Sequence, residues 1–404
     1  LSGQPGQKLL IVGTSLAYLL IGLEVLFMIT PFALFFYSVY GPILKWFASS
    51  PATAWLNEFF LPHMIFIDDP LLIGLSYLQA LFVIGLVLFL VAAIPLYYGR
   101  LFKKEVVSFG PYARIRHPQY LSLALSGFGL MLYWPRFMVL IFYVTMLFVY
   151  YLLARNEEWR MKREQPGSYP EYMGRTWMFL PGEPGGKVYR LLFGWIPAKG
   201  LGLLALYVVI LSLSVSTALG LRAYTLDRLP RAVSGDMHLV SVYPRPADKL
   251  QQLYGRALES AEVRNFLQAN RISLAYLMPG DFFLTGLLLE EGPRFSEAKL
   301  KRYPHLRDAE KGRHSGGLVK FFRLGYKFFQ TIGTTRRVYD FERIVFTRTR
   351  EIDGSPAPPE RAFAIGVVRN PALVVDIDFE SGEIVSIQTV SGRHSWGELP
   401  MPVL

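Results

Sequence analysis

The sequence predicts an α-helical transmembrane bundle of about five spanning helices over residues 1–223, followed by a C-terminal soluble α+β domain over residues 224–404. Three observations lead there. Hydrophobic residues are 52% of the 404 while charged residues still reach 18%, so the chain is too apolar for a soluble protein yet keeps a water-exposed part. Apolar residues before Arg222 are gathered into long runs, whereas those after Tyr224 come in short, interrupted ones. Lysine and arginine crowd the loops at one side of the runs and thin out at the other, as the positive-inside rule describes for spanning helices.

The first run extends from Lys8 to about Tyr40, too long for the core of a signal peptide. Glu24 lies in its middle, where a carboxylate is costly and marks either a paired or a functional position. The loop from Gly41 to Pro70 carries His63, Asp68 and Asp69, whose spacing matches no metal-ligand pattern, so it reads as solvated, with interfacial tryptophans. A second run covers Leu71 to about Tyr98. The third and fourth, Leu121–Trp134 and Phe137–Leu153, are separated only by a Trp-Pro-Arg break, and a fifth crosses from about Gly200 to Leu221.

Charge sets the orientation. Arg100, Lys103, Lys104, Arg114 and Arg116 precede the hairpin, and Arg155, Arg160, Lys162 and Arg163 follow it, while Lys45 and Arg136 are the main basic residues of the opposite loops. This face is therefore cytoplasmic. Five crossings then carry everything after Arg222 to the outer side of what reads as a bacterial inner membrane. The net charge of +11 does not imply a nucleic-acid partner, because the basic residues flank apolar runs where anionic lipid lies and no nucleic-acid-binding module is present. With no cysteine, the chain excludes disulfides, thiolate metal sites and cysteine nucleophiles.

In the C-terminal domain, Asp236–Tyr243 and Arg271–Met278 read as strands around a mostly helical Pro246–Asn270. Phe341–Thr349 and Ala362–Val368 look extended, and Ala372–Asp378 with Ile384–Val390 looks like a hairpin turning at Phe379–Glu383. Asp376, Asp378 and Glu380 alternate, which reads as an acidic, solvated strand face. This domain resembles no family.

The chain is organised around Ser108–Pro181. Two helices joined by a tight turn go into the bilayer and come back, so Arg116-His117 and Glu157-Glu158 meet at one membrane face and form a polar pocket. On spacing alone the glutamates also suit helix-surface ion pairs, Glu157 with Arg160 and Glu158 with Lys162. Gln119, Ser122, Ser126 and Gly129 share one helix face, which favours close approach of a neighbouring helix.

Gly110-Pro111-Tyr112, Arg116-His117-Pro118-Gln119-Tyr120, the helical hairpin, Glu157-Glu158, then Tyr169, Tyr172 and Phe179-Leu180-Pro181 together resemble the core of the isoprenylcysteine carboxyl methyltransferase and phospholipid methyltransferase superfamily. Ser122 and the Gln165-Pro166-Gly167 turn depart from that pattern without removing a proposed ligand. The resemblance implies an integral membrane enzyme using S-adenosylmethionine, with a cofactor pocket at Arg116, His117, Tyr120, Glu157 and Glu158. It implies a lipophilic methyl acceptor entering from the membrane lipids. Methyl transfer from a sulfonium is an in-line displacement, so the protein mainly aligns donor and acceptor and excludes water. Arg116 has the fork for a carboxylate, and also suits a lipid phosphate; the glutamates suit an ammonium or ribose hydroxyls. Two other readings stay open: a non-catalytic subunit of a larger membrane complex built on this scaffold, and an NADPH-dependent sterol-type reductase, which shares the Arg-His-Pro-x-Tyr element.

Overall fold

The structure is a computed structural model that describes residues 26, 29–36, 47, 50–63, 65–102, 107–280, 301–302, 341–351, 353–378 and 380–390. The chain forms two compact units, one of residues 1–61 with 74–221 and one of residues 62–73 with 222–404.

Three helical segments among the described residues are long and apolar enough to cross a membrane: Pro70–Leu96, Phe137–Glu164 and Lys199–Asp227. The sequence led to about five, and two facts account for the difference. Most of the run from Lys8 to Tyr40, including Glu24, lies outside the described residues. The helix expected over Leu121–Trp134 has only 16 residues, Pro118–Tyr133. That is about 24 Å against a hydrocarbon core of about 30 Å. Pro135 ends it, because proline lacks the donor that would continue the helix.

The first segment consists of α1 (Pro70–Tyr77) and α2 (Leu81–Phe102), separated by a single 3-10 turn at Leu78–Ala80. The Gln79 side-chain amide of that turn donates to the Leu132 carbonyl at 3.2 Å. α3 (Pro118–Tyr133) packs against α2 almost backbone to backbone. A Cβ on Gly129 would stand 2.8 Å from the Leu81 carbonyl carbon, and one on Gly85 would stand 2.7 Å from the Ser122 carbonyl oxygen. Small residues permit that approach, and Ser126 Oγ uses it to donate to the Phe82 carbonyl at 3.0 Å. Helix packing is thus what the face of small and polar residues does.

α4 (Phe137–Glu164) returns from the turn, which is held by a loop: Phe60 N–H donates to Pro135 O at 2.8 Å, and Phe137 N–H to Glu58 O at 3.1 Å. Arg136 lies with its guanidinium 4.3 Å from the centre of the Phe59 ring. Three further helices follow α4: α5 (Ser168–Arg175), α6 (Pro184–Phe193) and α7 (Lys199–Asp227), whose last turns belong to the second unit.

The second unit is a mixed, open six-stranded sheet in the order β1 (Arg231–Ser234), β2 (Met237–Ser241), β3 (Leu274–Pro279), β4 (Phe341–Arg350), β5 (Val368–Asp378) and β6 (Ile384–Thr389). Only β2 and β3 run parallel, because α8 (Ala247–Leu258) and α9 (Ala261–Asn270) carry the chain back between them. Leu250, Leu253, Ala257 and Val263 from these helices bury against Leu239, Ala275, Phe346, Leu373 and Val375 of the sheet.

Two readings of this unit change. Ala362–Val368 is not extended. Turns follow the 3-10 helix Pro359–Arg361, and Arg369 donates to Ala362 O and Ala364 O, holding the loop folded until β5 begins at Val368. The aspartates of β5 are not solvated either. Strand register sets Asp376 opposite Arg343, and the fully buried carboxylate takes two guanidinium bonds of 2.8 and 3.1 Å and one from Ser386 Oγ at 3.1 Å. Asp378 Oδ1 accepts from Glu380 N–H and Ser381 N–H and so builds the hairpin turn.

Asp69 also belongs to this unit. One of its oxygens accepts from Leu71 N–H and Leu72 N–H at the start of α1, and the other accepts from Tyr224 Oη at 2.8 Å and Arg228 Nε at 3.0 Å. Among the described residues no group of three potential ligands is arranged for a metal ion.

Candidate functional site

The site forms where the loop before α3 meets the last turns of α4. Pro118 takes the first position of α3, where its missing donor costs nothing, and this leaves His117 as the flanking residue outside the helix. Tyr120, three residues on, stays on the same side as His117. On α4, Tyr150, Ala154 and Glu158 are buried at helical spacing, so the inward stripe of an apolar helix ends in a carboxylate, with Glu157 beside it at its edge.

A strap from the far side closes the loop. Trp177 pairs with Ile115 in a short parallel bridge, with Arg116 N–H donating to Trp177 O at 2.8 Å, Trp177 N–H to Arg114 O at 3.0 Å and His117 N–H to Met178 O at 3.2 Å. Tyr172 Oη donates to Tyr112 O at 2.8 Å, and Tyr112 Oη donates to the Gln119 side chain at 3.0 Å. Tyr169 and Tyr172 are buried in this strap, and burial pushes both phenols up in pKa, Tyr172 to about 12.

All five residues singled out in the sequence come together. Arg116 Nε lies 2.6 Å from Glu158 Oε1, with both side chains under a tenth exposed. Tyr120 Oη donates to Glu157 Oε1. The His117 ring lies between the carboxylates, Nδ1 at 3.4 Å from Glu157 and Nε2 at 3.6 Å from Glu158, distances longer than a well-formed hydrogen bond. Burial pulls the His117 imidazole down in pKa, but the two facing carboxylates outweigh it and leave the pKa above its ordinary value. Tyr120 stacks on Tyr150 at 4.8 Å between ring centres, and His117 stacks on Tyr120 at 5.7 Å. The glutamates therefore face the loop instead of forming pairs along their own helix; Arg160 turns to Glu164 at 3.7 Å.

Arg116 turns its donors to the protein. Its Nη1 donates to the carbonyls of Met173, at 3.2 Å, and Thr176, and its Nη2 donates to Glu183 Oε1 at 3.1 Å. Glu183 is the residue the sequence did not disclose. It sits in left-handed backbone at φ +45° after Gly182, and the same oxygen accepts from Met178 N–H at 2.9 Å. A lone signal pointed to it, an acid directly before the Pro184 that opens α6.

Residues 73–164 match the family model of phospholipid methyltransferases. Among curated proteins and among solved structures, none matches the chain. The methyltransferase match runs from α1 to the end of α4, so it includes Arg116, His117, Tyr120, Glu157 and Glu158 and leaves Glu183 and the second unit outside.

Methyltransferases of this kind use S-adenosylmethionine, whose sulfonium and ammonium are cationic. The residues present fit that charge. Glu157, Glu158 and Glu183 outnumber the one guanidinium among them, and the nearly fully buried His117 stands between two of these carboxylates, Nδ1 3.4 Å from Glu157 and Nε2 3.6 Å from Glu158. Glu157 is the most open of the group apart from Glu183, its side chain about a third exposed at 31%.

Proposed function

We propose that this chain is an integral membrane methyltransferase that moves a methyl group from S-adenosylmethionine to a lipophilic acceptor entering from the bilayer. The observation that carries the reading is the cluster of Arg116, His117, Tyr120, Glu157 and Glu158 at the base of a hairpin inside the segment that matches phospholipid methyltransferases. In this reading Glu157 and His117 contact the cofactor, Glu157 neutralising its ammonium or accepting from ribose hydroxyls, and Tyr120 packs beside it while orienting Glu157. Glu158 and Arg116 hold His117 in place from behind.

The cofactor supplies an electrophilic methyl group on sulfur. The chain contributes alignment, exclusion of water by the aromatic wall of Tyr120 and Tyr150, and carboxylates that match positive charge in a site of low dielectric. Displacement from a sulfonium needs a base only where the acceptor must lose a proton; for an acceptor that attacks as its anion, the residues required are those that hold and screen.

Membrane topology supports the same assignment. Asp69, directly before α1, bonds Arg228, directly after α7, which fits an even number of crossings between them. Three crossings between them would leave the ends on opposite faces. Short α3 is therefore read as the fourth, with the motif loop and the end of α4 at the other, cytoplasmic face where the basic residues gather. The C-terminal domain, residues 224–404, then belongs to the outer side of a bacterial inner membrane.

Calorimetric titration of S-adenosylmethionine into the detergent-solubilised protein tests the proposal. Binding by the wild type that is lost in His117→Ala supports it; no binding by either overturns it. One observation favours a second reading. Every nitrogen of Arg116 already has a protein acceptor, as suits an inherited scaffold in a subunit of a larger complex. Migration as a small particle without a copurifying partner after gentle extraction would count against that reading.

A further inference from the structure

α6 stands apart from the other helices of its unit. Its ten residues run from Pro184 to Phe193 and none is buried. At 100° per residue, Val188, Leu191 and Leu192 fall on one side and Lys187 and Arg190 on the other, so the helix is two-faced. A two-faced helix ordinarily turns its apolar side inward. Here the apolar side is outside: Leu191 is 82% exposed, Val188 and Leu192 are half exposed, and Trp195 just beyond the helix is 77% exposed.

Its place in the chain says what covers that face. α6 leads through Gly194–Ala198 into the spanning helix α7, and Tyr189 Oη donates to Lys199 O at 3.4 Å, tying α6 to the first residue of the span. Gly202, on the first turn of α7, leaves the room that the Tyr189 hydroxyl occupies. A helix fixed to the end of a span lies at the depth of lipid headgroups. There an exposed tryptophan and leucines meet acyl chains, while Lys187, Arg190 and Lys199 meet headgroup charge, the composition of an interfacial helix.

We propose that α6 is a membrane-surface anchor that lies in the plane of an anionic leaflet, with Val188, Leu191, Leu192 and Trp195 in the acyl boundary and Lys187 and Arg190 on lipid phosphates. The anchor has a fixed link to the site. Glu183, the residue before α6, joins Arg116 Nη2 and Met178 N–H, so seating α6 on the leaflet sets the depth of the strap that closes over His117. The anchoring itself is independent of the methyl-transfer reading; only this consequence for the strap rests on it.

The absence of cysteine makes a direct test available. Leu192→Cys and Lys187→Cys, in the full chain in nanodiscs, each accept one environment-sensitive fluorophore. The readouts are quenching by lipids spin-labelled near the headgroup and quenching by aqueous iodide. The proposal expects lipid quenching several-fold stronger at 192 than at 187, and iodide quenching in the reverse order. It also expects the lipid quenching at 192 to fall when phosphatidylglycerol is replaced by phosphatidylcholine, with each basic residue accounting for about fivefold in preference for the anionic surface. A label at 192 reached by iodide and not by lipid would place the face in water and overturn the proposal. A label shielded from both would mean a protein cover and overturn it equally. Thermal unfolding identical to wild type certifies that each labelled chain is folded, and none of these readouts depends on methyl transfer.

Discussion

Arg116 and Glu158 stand 42 residues apart in sequence and 2.6 Å apart in space, guanidinium Nε to carboxylate oxygen, both nearly removed from water. The pair closes the base of the α3/α4 hairpin, and the remaining donors of Arg116 reach across to the strap at Met173, Thr176 and Glu183. One side chain thus ties three chain segments around His117.

That arrangement makes Arg116 more expensive to remove than to copy. Arg116→Ala leaves the buried Glu158 facing only the His117 ring at 3.6 Å, and the expected loss is about 3 to 5 kcal/mol of stability. Arg116→Lys keeps the charge but loses the fork, so it recovers part of this loss only. Thermal unfolding in detergent measures both, and equal stability of Arg116→Ala and wild type would falsify the clamp.

Glu157 is predicted to separate binding from folding. Its carboxylate is partly open and its protein partners include Tyr120 and His117, so Glu157→Gln is expected to leave unfolding within about 1 kcal/mol of wild type. The same change is expected to weaken S-adenosylmethionine binding by about tenfold or more, as fits loss of a charge-assisted contact. Calorimetry alongside thermal unfolding decides it: unchanged affinity would remove Glu157 from the cofactor contacts.

His117 gives the site a pH dependence with a defined sign. Its pKa in the folded chain lies above the unfolded value of 6.5, because Glu157 and Glu158 outweigh burial. The protonated form therefore contributes stability that is fully present below pH 6.5 and is lost as pH rises through the folded pKa. Melting temperature should fall across that alkaline limb in wild type, and His117→Gln should flatten this part of the profile. A wild-type profile that rises over the same range would reverse the assigned sign.

Gly129 tests the close approach of α2 and α3. A methyl group there meets the backbone of the facing helix, which cannot rotate away as a side chain does. Gly129→Ala is expected to cost about 1 to 3 kcal/mol despite the better helix propensity of alanine. In contrast Gly174→Ala, on open surface, should be neutral or slightly stabilising. Equal effects at the two positions would mean the helices can part freely.

Much of the site was legible because its residues are near one another along two short stretches. Arg116-His117-Pro118-Gln119-Tyr120 and Glu157-Glu158 flank a pair of apolar runs, the second of which lies in a helix long and apolar enough to span a bilayer. The hairpin, the meeting of the two stretches and most strands of the C-terminal sheet follow from periodicity and punctuation alone. The partner of each charge did not follow. Local spacing offered Arg160 to Glu157, whereas the folded chain gives Glu157 to Tyr120 and Glu158 to Arg116; it brought Glu183, itself in left-handed backbone, to Arg116, and it buried Asp376 opposite Arg343 on another strand. A charge in a low-dielectric interior goes to whichever opposite charge the packing brings within reach, however far away in sequence. Hydrophobic pattern therefore marked the long apolar helices of this chain, while only the tertiary structure decided which of its charges face one another.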